Sequence, residues 1–137
     1  MSKLRQNNQN DSAKTAVDIK YINVPNICFS LTNKDDDREE LFSKQRIERG
    51  FDDSETWSLT DTICHFILPR LKRFKECGNG IPAILEEEEW NEILDKMILA
   101  FKLTSKDKGS RIWTDEEEKQ VDEGLDLFRE WFMALWW

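Results

Sequence analysis

Residues 86–103, EEEEWNEILDKMILAFKL, carry apolar side chains at Trp90, Ile93, Leu94, Met97, Ile98 and Phe101. Steps of three and four residues place all six on one side of an α-helix, and carboxylates load the turn where the helix dipole is positive. A helix with one apolar face needs another element to cover it. The rest of the chain must therefore supply a matching surface.

Two further segments do so. From about Ser58 to Glu76, Leu59, Ile63, Phe66, Ile67, Leu71 and Phe74 recur at helical spacing. Pro69 interrupts this run by removing its own N–H and crowding the carbonyl of His65. The stripe keeps its phase across the proline, which predicts a kink rather than a break. In the third segment Thr114 and Glu117 form a capping-box pattern. Val121, Leu125, Phe128, Trp131, Phe132, Leu135 and Trp136 then carry an apolar stripe onward. CGNGIP and TSKDKGSRIW separate the three helices.

A shorter helix is expected within NKDDDREELFSKQRIERG, capped by Asn33 or Asp35, with Arg46 and Arg49 in its last turn and Gly50 beyond. Its apolar content is thin (Leu41, Phe42 and Ile47), which predicts a surface position. Residues 1–18 read as a disordered polar tail. IKYINVPNICFSL, residues 19–31, reads as a short extended segment interrupted by Pro25. The expected fold is all-α: a small bundle of three main amphipathic helices plus one short helix, with residues 19–137 as a single helical domain.

Acidic residues number 28 against 20 basic ones, a formal net charge of −8. That balance opposes direct binding to nucleic acid or to an anionic membrane, both of which need clustered cations. No segment approaches the roughly 20 apolar residues of a membrane helix, and the N-terminus lacks the apolar run of a signal peptide. Cys28, Cys64 and Cys77 read as free thiols in a reducing cytoplasm.

RGFDDSETWSL, ILPRLKRFKE, EEEEWNEILDKMILAF and GLDLFREWFMALWW together resemble a family of small uncharacterised proteins encoded by tailed bacteriophages. The resemblance covers about residues 45–137. Cys64-His65 stands where small or basic residues are commoner in that pattern, and Leu85-Glu86 replaces a Ser/Thr helix cap, a change expected to cost very roughly 1 kcal/mol. The family implies no activity. It implies a phage gene product made in the cytoplasm of a bacterial host.

Four groups of residues carry candidate chemistry. Arg70, Arg73 and Lys75, with Lys72, are candidate ligands for a phosphate; otherwise they balance acid on the next helix, such as Glu86–Glu89. Glu88, Glu89 and Glu92, with Glu123 and Asp126, match the carboxylate pairs that hold Mg²⁺ in all-α nucleoside triphosphate pyrophosphatases, a match that arises easily by chance in so acidic a chain. Cys64-His65 lacks the partners for zinc, and Cys64 is best read as core filler. Trp131, Met133, Trp136 and Trp137 are candidate partner-binding residues, because aromatics at an exposed end anchor interfaces.

No catalytic set, metal site or cofactor is expected; a lone histidine removes the commonest general base. The leading expectation is a non-catalytic phage accessory protein that binds a host or phage protein, for instance an acidic inhibitor of a host defence or nucleic-acid enzyme. Self-association through the C-terminal helix is a further use of that surface. The alternatives are a small nucleotide-binding protein and a Mg²⁺-dependent pyrophosphatase.

Overall fold

A computed structural model describes residues 27–78, 80–105 and 112–136. The expected tail of residues 1–18 and most of the extended segment lie outside them. Among the described residues the chain forms four α-helices and no strand: α1 (Glu39–Arg49), α2 (Leu59–Cys77), α3 (Glu87–Thr104) and α4 (Asp115–Trp131). Short 3-10 turns occupy Asp53–Thr56 and Phe132–Ala134. The fold is a small all-α bundle. Its contacts group into two compact units, Met1–Thr62 and Ile63–Trp137.

In the first unit α1 begins later than its sequence predicts. Asn33 Oδ1 accepts the Asp35 N–H at 2.9 Å and Asp36 Oδ1 accepts the Arg38 N–H at 2.8 Å. The acidic run thus satisfies its own backbone in turns instead of capping a helix. Arg38 takes the N-cap position without a side-chain cap. At the other end Gly50 adopts φ 85° and donates its N–H to the Arg46 carbonyl at 2.8 Å, a left-handed closure that favours glycine.

The buried face of α1 is Glu39, Phe42, Ser43 and Arg46, while Leu41 and Ile47 are exposed. Of its three apolar residues only Phe42 is buried, and polar and charged side chains make up the rest of its inner side.

The second unit has an apolar centre. Cys64 and Leu71 of α2 pack with Trp90, Leu94, Met97 and Phe101 of α3, and Leu127, Phe128 and Trp131 of α4 close over them. Trp90 meets Trp131 edge-on at 5.9 Å, and Phe101 meets Phe128 edge-on at 5.0 Å. The helix α2 runs unbroken through Pro69. Of the predicted stripe, Ile67, Leu71 and Phe74 pack in the core, joined by Cys64 and Leu68, whereas Leu59, Ile63 and Phe66 are exposed.

The start of α3 is sounder than Leu85-Glu86 suggests, since Glu89 Oε2 accepts the Glu86 N–H at 3.0 Å, half of a capping box. Thr114 caps α4 as its sequence predicts, its hydroxyl accepting the Glu117 N–H at 3.1 Å. The indole N–H of Trp113 bonds the Leu103 carbonyl at 3.2 Å and so ties the start of α4 to the end of α3. The last helix stops at Trp131 and tightens into the turn Phe132–Ala134, short of where the stripe extends.

Candidate interaction surfaces

The basic residues after Pro69 do not converge. At about 100° per residue, Arg73 and Lys75 lie roughly 160° apart around α2. Arg70 donates to the Phe66 carbonyl at 2.7 Å and lies over the Phe66 ring at 4.0 Å. Arg73 pairs with Glu76 at 3.3 Å, one turn on. Lys75 faces the neighbouring helix and bonds Asp95 of α3 at 2.6 Å. The acid that Lys75 meets is therefore Asp95, mid-helix, and not the Glu86–Glu89 opening. Trp90 is buried against Trp131 and offers no exposed ring for stacking beside these cations.

A cleft of about 470 Å³ between α2 and α3 is lined by Lys72, Lys75, Glu76, Asn91, Asp95 and Ile98. A smaller cavity of about 130 Å³ lies beside it, with Phe74, Trp90 and Leu94 in its wall. Both mix acid with base, so neither presents the clustered cations of a phosphate site.

Two of the carboxylates singled out for Mg²⁺ do approach one another, but around a lysine. Lys96 Nζ lies 2.7 Å from Glu123 Oε1 and 3.6 Å from Glu92 Oε1. The hydrogen bond to Glu123, with the nearby charge of both carboxylates, raises the Lys96 pKa and keeps the ammonium charged. The two carboxylates thus flank an ammonium. Among the described residues no three His, Cys, Asp or Glu side chains are grouped to hold a metal. Cys64 is fully buried in the apolar core, while His65 beside it is exposed.

The C-terminal candidates divide. Trp131 packs into the core. Met133 is 84% exposed and Trp136 73% exposed, and Trp137 lies outside the described residues. Phe132, assigned by its spacing to the core stripe, is 56% exposed. The change from α-helix to 3-10 turn after Trp131 rotates it off the buried side. Phe132, Met133 and Trp136 together leave an apolar surface beyond the end of α4.

The polar centre of the first unit was not anticipated. Arg46 bonds Glu39 through one arm of its guanidinium and Asp52 through the other, and all three are buried. Asp52 caps the turn Asp53–Thr56: its carboxylate accepts from Ser54, and its N–H donates to Glu55 Oε2 at 2.7 Å. The preceding chain is held by the same groups. Phe29 N–H donates to Glu55 Oε1 at 3.1 Å, and Leu31 N–H to Ser54 Oγ at 2.9 Å.

Burial pushes the Asp52 carboxyl up, but hydrogen bonds from Ser30, Ser54 and Arg46 outweigh it, and its pKa is lowered overall. The Cys28 thiol is pushed up, first by burial and then by Glu55 and Asp52. This makes it a weak nucleophile. Every acceptor here serves a backbone or side-chain donor, so the arrangement organises the unit. The signals were present: Glu39 and Arg46 stand two turns apart on one face, and Asp52-x-x-Glu55 is a capping box.

No family model, curated protein or solved structure matches this chain.

Proposed function

We propose that this chain is a non-catalytic phage accessory protein that binds a host or phage protein in the bacterial cytoplasm, in the manner of an acidic inhibitor of a host defence or nucleic-acid enzyme. The observation that carries the binding reading is the exposure of Phe132, Met133 and Trp136 beyond α4. Aromatic and Met side chains held out of a core are the common anchors of protein interfaces. The phage context is carried by the resemblance of the motifs over about residues 45–137. The inhibitor reading draws on the net charge of −8, which favours a basic partner.

The test is affinity capture from bacterial lysate with the parent chain and with the double variant Met133→Ser/Trp136→Ser. One stoichiometric partner, released by salt and lost with the double variant, is expected. Equal capture by both would remove the surface from consideration. No partner at any salt concentration would remove the binding reading itself.

A second reading, capture of a small nucleotide, rests on the cleft alone: Lys72, Lys75 and Asn91 offer donors there, against Glu76 and Asp95 in the same wall. A rise in melting temperature with nucleotide, abolished by Lys75→Glu, would support it. No shift with any nucleotide would count against it.

A further inference from the structure

Resting on the partner-binding reading above, we infer that the outer face of α4 docks a basic amphipathic helix of the partner protein. Its cations would lie along Asp122, Asp126 and Glu130, and its apolar end would lie on Met133 and Trp136.

Asp122, Asp126 and Glu130 follow one another at four-residue steps, so they stack on successive turns of one side of α4. All three are exposed, and none makes an ion pair among the described residues. Lys119 and Arg129 border the column, but α4 carries eight carboxylates against these two cations. Like charges at this spacing destabilise a helix. The helix dipole accounts for Asp115–Glu118 in the first turn, and its influence is spent within that turn. At Glu130 it is adverse, because the carboxylate lies near the negative end. Among the described residues the column therefore costs the helix stability without a return.

Past the end of α4, beyond the column, lies the exposed apolar surface. Met133 follows Glu130 by three residues, and Trp136 lies just beyond. The column spans about 12 Å, and Met133 begins roughly 5 Å further along. A partner helix with Lys or Arg at i, i+4 and i+8 repeats that spacing turn for turn, and an apolar pair at i+11 and i+12 reaches the Met133 and Trp136 end. Charge complementarity selects a cationic helix, and the order of charged and apolar blocks selects among cationic helices.

Isothermal titration tests this with two synthetic helical peptides. One carries Arg at i, i+4 and i+8 with Leu at i+11 and i+12; the control has Glu in place of Arg. The arginine peptide is expected to bind at least about tenfold tighter than the control, and to weaken as salt screens the pairs. The triple variant Asp122→Asn/Asp126→Asn/Glu130→Gln should lose that advantage while melting no lower than the parent, since removing like charges favours the helix. Met133→Ser/Trp136→Ser should weaken both peptides. An arginine peptide that binds no tighter than the control, or that binds both variants like the parent, overturns the inference. Self-association of the parent abolished by Met133→Ser/Trp136→Ser, with no preference for the arginine peptide, would assign the face to a second copy and overturn it as well. If lysate capture depends on Met133 and Trp136 but survives the triple variant, partner binding stands and the cationic helix falls. Absence of any capture by the parent chain removes both.

Discussion

Gly124 of α4 faces Ala100 of α3 so closely that a Cβ added at Gly124 would come within 2.3 Å of the Ala100 Cβ and of the Lys96 carbonyl oxygen. Residue 124 sets the distance between the two helices. Helix propensity alone favours Ala over Gly by about 1 kcal/mol. The overlap involves a backbone carbonyl, which has no rotamer to yield, and overpacking costs about 1–3 kcal/mol or more. Gly124→Ala is therefore expected to lower stability by on the order of 2 kcal/mol in urea denaturation. A stabilised variant would show that the helices separate freely.

Arg46→Met tests the polar centre of the first unit. It leaves Glu39 and Asp52 buried without their cation, a loss of about 3–5 kcal/mol. Hydrogen exchange should locate the effect in the amides of α1. Arg46→Lys should rescue only partly, because an ammonium cannot hold two carboxylates in the fork geometry of a guanidinium. Unchanged protection of α1 in Arg46→Met would refute a structural role for the pair of ion contacts.

Acid should loosen the same unit. The Asp52 carboxyl lies below its ordinary value of 3.8 in the folded chain. Its contribution is therefore present above that value and is lost as pH falls through the lower, folded one. Asp53 is shifted the same way, by hydrogen bonds first from Arg49 and then from Gln45. Protection of the α1 amides is expected to fall below about pH 4. Asp52→Asn should flatten that dependence. Acid sensitivity identical in parent and variant would place its origin elsewhere.

What the sequence made legible follows from where the apolar pattern decides the outcome. In α3 the residues at Trp90, Leu94, Met97 and Phe101 are buried at the spacing they show, because little else competes for that face. In α1 the pattern fails. Glu39 and Arg46 turn inward only because Asp52, six residues past Arg46, completes the ion contacts. That is tertiary information, absent from a helical wheel. Around Pro69 the cations were legible as a run, but their division between two sides of α2 required the helix to remain continuous. At Phe132 the period itself changed, from α-helix to 3-10 turn, and a stripe extrapolated at one period put the ring on the wrong side.

The tryptophans of α4 and its following turn should separate stability from binding. Trp131 meets Trp90 edge-on within the core, so Trp131→Ala removes that contact and opens a void, at about 2–4 kcal/mol. Trp136 and Met133 are exposed, and surface changes of this kind stay within about 0.5 kcal/mol. Trp136→Ser is therefore expected to melt like the parent while weakening partner capture, and Trp131→Ala to melt lower. Comparing melting curves with capture for the two variants reads both at once. If Trp136→Ser melts as low as Trp131→Ala, its indole serves the fold, and the apolar surface beyond α4 is part of the core rather than a place for a partner.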